Sequence, residues 1–309
     1  MRLTSGILTG LALALVATGC SEKKPAPVPA RPGKALSEGP SKPTVDAQAA
    51  EFEAVRKALE VLIADADTST DRMRVHAAYL GPDALSLLSG FVTTGTPAQR
   101  LKAVKVLETL AYNRVRSPES VTALSGLSKD PDPKTRESAI EALFWSAVDP
   151  GKFPSYWAPG ETDLNRLTDT KTLYALPFDD CREQLDTPGL PMARDERGVV
   201  KGGRRPVECE PVPQACDALQ AFYWSETDPD LKLSALIQSV RAGKKGLMRK
   251  LISYLEPEPS KELDLRDPKT KQPIVVIPAS AVNRAWRCLR DETGRTQRRF
   301  DDWVSWWAR

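Results

Sequence analysis

The sequence predicts an all-α fold: an irregular α-solenoid of helical hairpins, interrupted by a long Pro-rich, mostly non-helical insertion. Three observations carry that prediction. Apolar residues recur at three- and four-residue spacing through much of the chain, so each helix presents a stripe that only a neighbouring helix can bury. One pattern, Arg-x-x-Ala followed by a larger apolar residue, returns along these helices. Between them, residues 149–215 lose the periodicity and carry nine prolines.

Taken in order, residues 1–19 read as a signal peptide. Arg2 supplies a positive start, an apolar run from Ile7 to Val16 is broken only by Thr9 and Gly10, and Ala17-Thr18-Gly19 leads into Cys20. Such a small-residue cleavage site follows a secretory signal. The run is about half of the roughly 20 apolar residues a membrane-spanning helix needs. The segment resembles the lipobox of bacterial lipoproteins, although Ala17 stands where Leu is commoner. That resemblance implies cleavage before Cys20, diacylation of its thiol with chains such as palmitate, and acylation of the new N-terminus. Each buried methylene contributes about 0.8 kcal/mol, so two or three chains hold a protein at the membrane where one does not. Residue 21 is Ser, not the Asp that often retains lipoproteins in an inner membrane. The same resemblance implies the periplasmic face of the outer membrane in a diderm cell.

Residues 20–45 join this anchor to the rest as a disordered tether. Ser21 to Thr44 hold six prolines, scattered lysines and almost no large apolar residue. Such a composition cannot bury enough surface to offset the entropy of ordering it.

Residues 46–148 carry the first set of helical repeats. Phe52, Val55, Leu59, Leu62 and Ile63 share one face, and Gly81-Pro82 punctuates the chain with Asp83 as a candidate cap. Further stripes are Leu101, Val104, Leu107, Leu110 and Ala111, then Ile140, Leu143, Phe144, Ala147 and Val148. Residues 216–309 resume with Leu247, Met248, Leu251, Ile252 and Leu255. Strand signals are few, the best being Ile274-Val275-Val276-Ile277 between Pro273 and Pro278.

The recurring pattern is Arg100-x-x-Ala103-Val104 and Arg136-x-x-Ala139-Ile140, with a shorter copy at Arg74-x-x-Ala77-Ala78 and a weaker one at Lys232-x-x-Ala235-Leu236. Alanine permits close helix approach, and the arginine on the rim can reach carbonyls or acids of the adjacent unit. Asp130-Pro131-Asp132-Pro133 and Asp228-Pro229-Asp230 precede two copies, where Asp can cap a helix and Pro fits its first turn. The stretch Asp130 to Leu143 resembles HEAT-type helical repeats, with Thr135 where Val is usual. The copies are 26, 36 and 96 residues apart, against the 40–47 of a regular array. The resemblance implies a degenerate solenoid that binds other proteins. At the C-terminus, Leu289-Arg290-Asp291-Glu292-Thr293-Gly294 precedes Phe300, Trp303, Val304, Trp306 and Trp307. This is similar to the ends of bacterial HEAT-like proteins. Phe300, Trp303, Val304 and Trp307 share a face that would seal the solenoid, leaving Trp306 the more exposed.

Beyond Cys20, four cysteines remain: Cys181 and Cys209 in the insertion, Cys216 at the next helix, and Cys288. An even number in an exported chain points to disulfides. Cys181–Cys209 with Cys216–Cys288 is favoured, and Cys209–Cys216 with Cys181–Cys288 stays open. Their spacings of 28, 7 and 72 residues do not match paired Cys-x-x-Cys zinc clusters, so no metal is expected.

No catalytic set emerges, and no enzyme activity is expected. The single histidine, His76, sits in a repeat helix with no Gly-x-Ser-x-Gly elbow, and reads as structural. Asp301-Asp302 suits the start of a helix, which leaves Asp179-Asp180 as the acidic pair to watch. No phosphate-binding glycine loop is present, so no cofactor is expected. Gly202-Gly203-Arg204-Arg205 and Gly243-Lys244-Lys245-Gly246 are basic turns. With 44 basic against 41 acidic residues, the near-neutral balance gives no basis for nucleic-acid binding. The expectation is a membrane-anchored scaffold or adaptor whose partner is another envelope protein. An envelope hydrolase with its site in the insertion and a ligand-binding structural lipoprotein are the alternatives.

Overall fold

Four helices start on one device. Thr96, Ser117, Asp132 and Asp228 each stand as the cap before a proline, and each side chain accepts from backbone N–H groups of the first turn. The cap satisfies donors the helix leaves open, and proline lacks the N–H that would otherwise be orphaned there. Asp83 is not the cap of its helix: it is the first helical residue after Pro82, where its charge meets the positive helix end.

The computed structural model describes residues 45–65, 68–153, 155–156, 168–169, 209–256, 269–270, 272 and 277–309. All lie in the compact unit Pro43–Arg309. The described residues form eleven α-helices: α1 Val45–Ala64, α2 Thr70–Leu80, α3 Asp83–Thr94, α4 Pro97–Tyr112, α5 Pro118–Ser125, α6 Pro133–Ala147, α7 Pro213–Ser225, α8 Pro229–Arg241, α9 Met248–Ser253, α10 Ala279–Thr293 and α11 Phe300–Trp307. One two-residue antiparallel ladder, β1 Ser155–Tyr156 with β2 Thr168–Asp169, lies inside the insertion. Residues 273–276, the expected strand, lie outside the described residues.

The architecture is an irregular α-solenoid. Successive helices pair as hairpins: α1 with α2, α3 with α4, α5 with α6, α7 with α8, and α9 with α10. The second helices stack on one another from α2 through α4, α6 and α8 to α10. The first helices stack from α3 through α5 to α7, and α11 closes on α9. The expected stripes form the core: Val55, Leu59, Ile63, Val104, Leu107, Leu110, Ile140, Leu143, Phe144, Leu251 and Ile252 are all buried. The repeat alanines Ala77, Ala103, Ala139 and Ala235 are fully buried, which is what lets the second helices approach closely.

The arginines of the repeat link one hairpin to the next. Arg100 Nε donates to Asp130 Oδ2 at 2.8 Å, and its Nη1 to Gly95 O at 2.9 Å. Arg136 donates to both oxygens of Glu226, at 2.8 and 3.3 Å, and to Asp130 O at 2.7 Å. Each acid stands two residues before the cap of the next second-layer helix, α6 or α8, and also accepts backbone N–H groups there. Asp130 and Glu226 are buried, with side chains only 4% and 2% exposed. Arg74 finds no such acid, because the equivalent position is Thr94; it pairs instead with Asp71 in its own turn at 2.9 Å.

At the C-terminus, Gly294 adopts φ +71°, the left-handed turn that ends α10. Trp303 is fully buried, and both its indole N–H and that of Trp286 donate to Gln297 O. Trp306 is not the exposed member expected. It is half-buried like Trp307 and meets Trp303 edge to face at 5.5 Å.

Arg136→Ala strands the buried Glu226 carboxylate without its cation. The expected loss is about 3 kcal/mol in a denaturant titration, within the range for breaking a buried pair. Arg56→Ala, at an exposed pair, should stay within about 0.5 kcal/mol.

Candidate functional site

The second helices are stacked without a break, but the first layer opens between α1 and α3. There a groove of about 750 Å³ runs along Phe52, Leu85, Leu87 and Phe91, bounded by the start of α5 at Ser117 and Glu119. Phe52, Leu87 and Phe91 are half-buried and rest on the core below. Gly90 faces the groove from mid-α3, and a Cβ built on it meets nothing within 4 Å. Glycine inside a helix costs about 0.5–1 kcal/mol relative to alanine. Here its missing side chain leaves the groove floor low.

The rim is mainly acidic. Glu53, Asp83 and Glu119 line it with Arg56, and Arg56 is engaged with Glu53 and Glu60 at 3.7 Å each. Ser86 Oγ holds Glu119 at 3.3 Å. An apolar floor under a carboxylate rim suits an amphipathic polypeptide segment with basic flanks.

Arg116 forms the end wall of this groove and also closes the root of the insertion. Its buried guanidinium donates to Trp145 O at 2.7 Å and Val148 O at 2.6 Å, where the chain leaves α6. It also donates to Cys209 O at 3.0 Å, where the chain returns. Cys209 N donates to Arg114 O, Val212 N to Ser146 O, and Arg114 pairs with Asp149 at 3.0 Å. Burial lowers the Arg116 pKa, yet an arginine remains charged, stabilised here by carbonyl dipoles. Phe153 packs against Phe144 and Trp145, so the departing strand is also held by aromatic contact. Neither Arg116 nor the groove was apparent in sequence; Arg114-Val115-Arg116 before Ser117-Pro118 was the available signal.

The other candidates resolve into structure. His76 is buried, and its Nδ1 donates to Arg72 O at 2.8 Å, the i−4 carbonyl of its own helix. Asp301 and Asp302 occupy the first turn of α11. In the second basic turn, Lys244 pairs with Asp217 at 2.5 Å and Lys245 pairs with Glu292. A polar seam joins α6, α8 and α10. The Glu141 carboxylate, 3% exposed, accepts from Gln238 Nε2 at 2.6 Å, and Arg284 donates to Ser234 Oγ at 2.5 Å. Burial raises the carboxyl of Glu137 and the phenol of Tyr254. These groups join helices and line no described cleft. Cys20, Asp179, Asp180, Cys181 and the Arg204-Arg205 turn lie outside the described residues.

Among the described residues no disulfide is seen. Cys216 and Cys288 are free thiols, Cys216 donating to Ala242 O at 3.2 Å and Cys288 lying 4.0 Å from Ile237 O. Each thiol is directed to a different backbone carbonyl on α8 or its C-cap. Cys216 is the fourth residue of α7, which begins at Pro213. Burial pushes the Cys216 thiol up and the Cys288 thiol up to about 12. Cys181, the expected partner of Cys209, lies outside the described residues. Among the described residues no group of three or more His, Cys, Asp or Glu could hold a metal ion, and no helix is long and apolar enough to cross a membrane.

No protein-family model, curated protein or solved structure matches the chain.

Two outcomes follow from this geometry. Native protein treated with iodoacetamide should leave Cys288 unmodified, and denaturant should release it, as read by mass spectrometry; a Cys216–Cys288 disulfide would stay blocked until reduced. Arg116→Met removes the donors to three carbonyls at the insertion root. It should cost about 3 kcal/mol, roughly one per lost bond, and accelerate hydrogen exchange at the Cys209 amide. Unchanged exchange there would remove the clamp role.

Proposed function

We propose that this chain is a lipoprotein adaptor of the bacterial cell envelope, anchored through acylated Cys20 and using its solenoid to hold another envelope protein. The α1–α3 groove receives a segment of that partner. In a diderm cell the anchor lies in the outer membrane, facing the periplasm.

The observation that carries the reading is the opening of the first layer between α1 and α3, with Phe52, Leu87 and Phe91 half-exposed above the core. A volume of about 750 Å³ falls within the usual size of binding clefts. The acidic rim supports a partner with basic residues beside its apolar anchors, because complementary charge sets orientation and on-rate. His76 is buried and bonded to its own helix, and Glu141 is held by Gln238, whereas the groove residues are open to a partner. The Cys20 lipobox and the Pro-rich segment to Thr44 support membrane tethering.

Gly90→Trp tests the reading directly. The change fills open space and replaces a poor helix former, so thermal stability should hold or rise. A photo-crosslinker at Leu87 of the full chain in cells should label one envelope protein, at an apolar segment flanked by Lys or Arg. Gly90→Trp should cut that yield by about tenfold or more, equivalent to about 1.4 kcal/mol. An undiminished crosslink, or none while the chain stays in the membrane fraction, removes the groove as the contact.

A further inference from the structure

The opposite end of the solenoid carries a surface of different chemistry. The turn between α10 and α11 reads Gly294-Arg295-Thr296-Gln297-Arg298-Arg299, with three exposed arginines and no acid. None of the three makes an ion pair among the described residues, whereas most other arginines of the fold are held by carboxylates or carbonyls. Two are held by aromatic faces. The Arg298 guanidinium lies 4.7 Å from the Trp286 ring centroid, and that of Arg295 lies 5.2 Å from the Trp306 ring. Arg290 covers Trp286 as well, at 5.2 Å, but it also hydrogen-bonds Asp291.

Stacking and salt bridging leave an arginine in different states. A carboxylate engages the N–H edge of the guanidinium, whereas an indole engages its flat face and leaves the edge donors open. Arg295 and Arg298 are therefore positioned but not saturated. Trp286 is fixed in turn, because its N–H and that of Trp303 converge on Gln297 O in the same turn, and Trp306 packs edge to face on Trp303. Beside them, Trp306 and Trp307 remain half-exposed on α11, and Arg249 of α9 is exposed on the helix against which α11 packs. Asp301 and Asp302 in the first turn of α11 face solvent, as does Asp291 of α10, which is held by Arg290 and Arg241.

We propose that this arginine–tryptophan end docks on an anionic phospholipid surface, the edge donors of Arg295, Arg298 and Arg299 taking headgroup phosphates while Trp306 and Trp307 enter the interfacial region. Arginine meets phosphate bidentately, and tryptophan is the side chain enriched at headgroup depth. A surface rather than one phosphate is the better match, because the open guanidiniums come in a row with half-exposed indoles beside them. The binding is electrostatic at its rim and weakens with added salt. It is independent of what the α1–α3 groove holds.

The test compares the full chain with its Arg295→Gln/Arg298→Gln variant on phosphatidylcholine vesicles with and without phosphatidylglycerol. Whatever residues 1–44 contribute is common to both proteins, so the readout is the change in preference for the anionic vesicles. At about 1 kcal/mol per cation near an anionic surface, loss of two should reduce that preference by about thirtyfold. Quenching of tryptophan by brominated phosphatidylglycerol should fall in parallel, with unfolding temperature unchanged. Equal preference in both proteins overturns the proposal. So does binding to polyglutamate that depends on the same arginines while vesicles show no such dependence, which would make this end a protein interface.

Discussion

The register of the solenoid's middle rests on an arginine near the start of α4 and of α6 reaching an acid ahead of the next second-layer helix. Arg100 to Asp130 and Arg136 to Glu226 are the same bond made twice. The acid is buried, so it is stabilised only if the arginine arrives, and the arginine arrives only if the helices stack in one register. The acid also ties down the backbone before the cap, so a single pair sets both the stacking and the start of the next helix. Where the acid is missing the consequence is visible. Thr94 stands in its place between the first two hairpins, Arg74 turns back to Asp71, and the α1–α3 groove, which Thr94 lines, opens beside it. At the other end Lys232 replaces arginine and lies over the Tyr223 ring, and the link to α10 runs backwards, from Arg284 to Ser234. The regular rungs hold the middle, and the two ends depart from them.

The same bond explains how the chain tolerates its interruption. Arg136 and Glu226 are 90 residues apart, and their pairing spans the whole insertion. Loop-closure entropy rises only logarithmically with length, so a long excursion costs little once its ends are fixed. Arg116 fixes them. A lysine could satisfy one or two of the three carbonyls it gathers, but not the fork geometry that spans Trp145, Val148 and Cys209. One arginine thus joins hairpins across the break while another pins the break at its base.

Much of this was legible because it is periodic. Alanine three residues after arginine marked the close-packed face, and proline after Asp marked helix starts. The partners of the arginines were harder to see. Asp130 looked like a cap, but Asp132 caps α6 and Asp130 receives Arg100. Glu226 carried no signal alone; compared with Asp130, both read acid-x-Asp-Pro, and that doublet was the missed pattern. An even cysteine count says nothing of where packing directs each thiol. Cys216 and Cys288 sit in helices whose packing directs each thiol to a different backbone carbonyl, and burial makes Cys288 behave as a small apolar group. Trp306 was misjudged because a helical wheel treats faces as inside or outside. On a short terminal helix the neighbouring indoles cover one another, so the side facing away from the core is still half-buried. The groove was invisible because it arises from where two helices fail to meet, which no local pattern encodes.

The two proposed surfaces place opposite charge at opposite ends, carboxylates around α1 and α3 and guanidiniums around α10 and α11. On the proposed anchoring at Cys20, that polarity has a geometric consequence. The 24 residues from Ser21 to Thr44 reach at most about 75 Å when extended, near 3.1 Å per residue. Five stacked hairpins at roughly 10 Å spacing extend about 50 Å. Under that proposal the length of the segment from Ser21 to Thr44 lets the far, basic end reach the membrane. In that arrangement the lipid surface attracts the arginines and repels the acidic rim, which turns the groove away from the bilayer and towards a partner. An anchor alone would leave the solenoid free to tumble. The proposed anchor with a second, oppositely placed contact would orient it, and that weaker contact would gain because it is intramolecular.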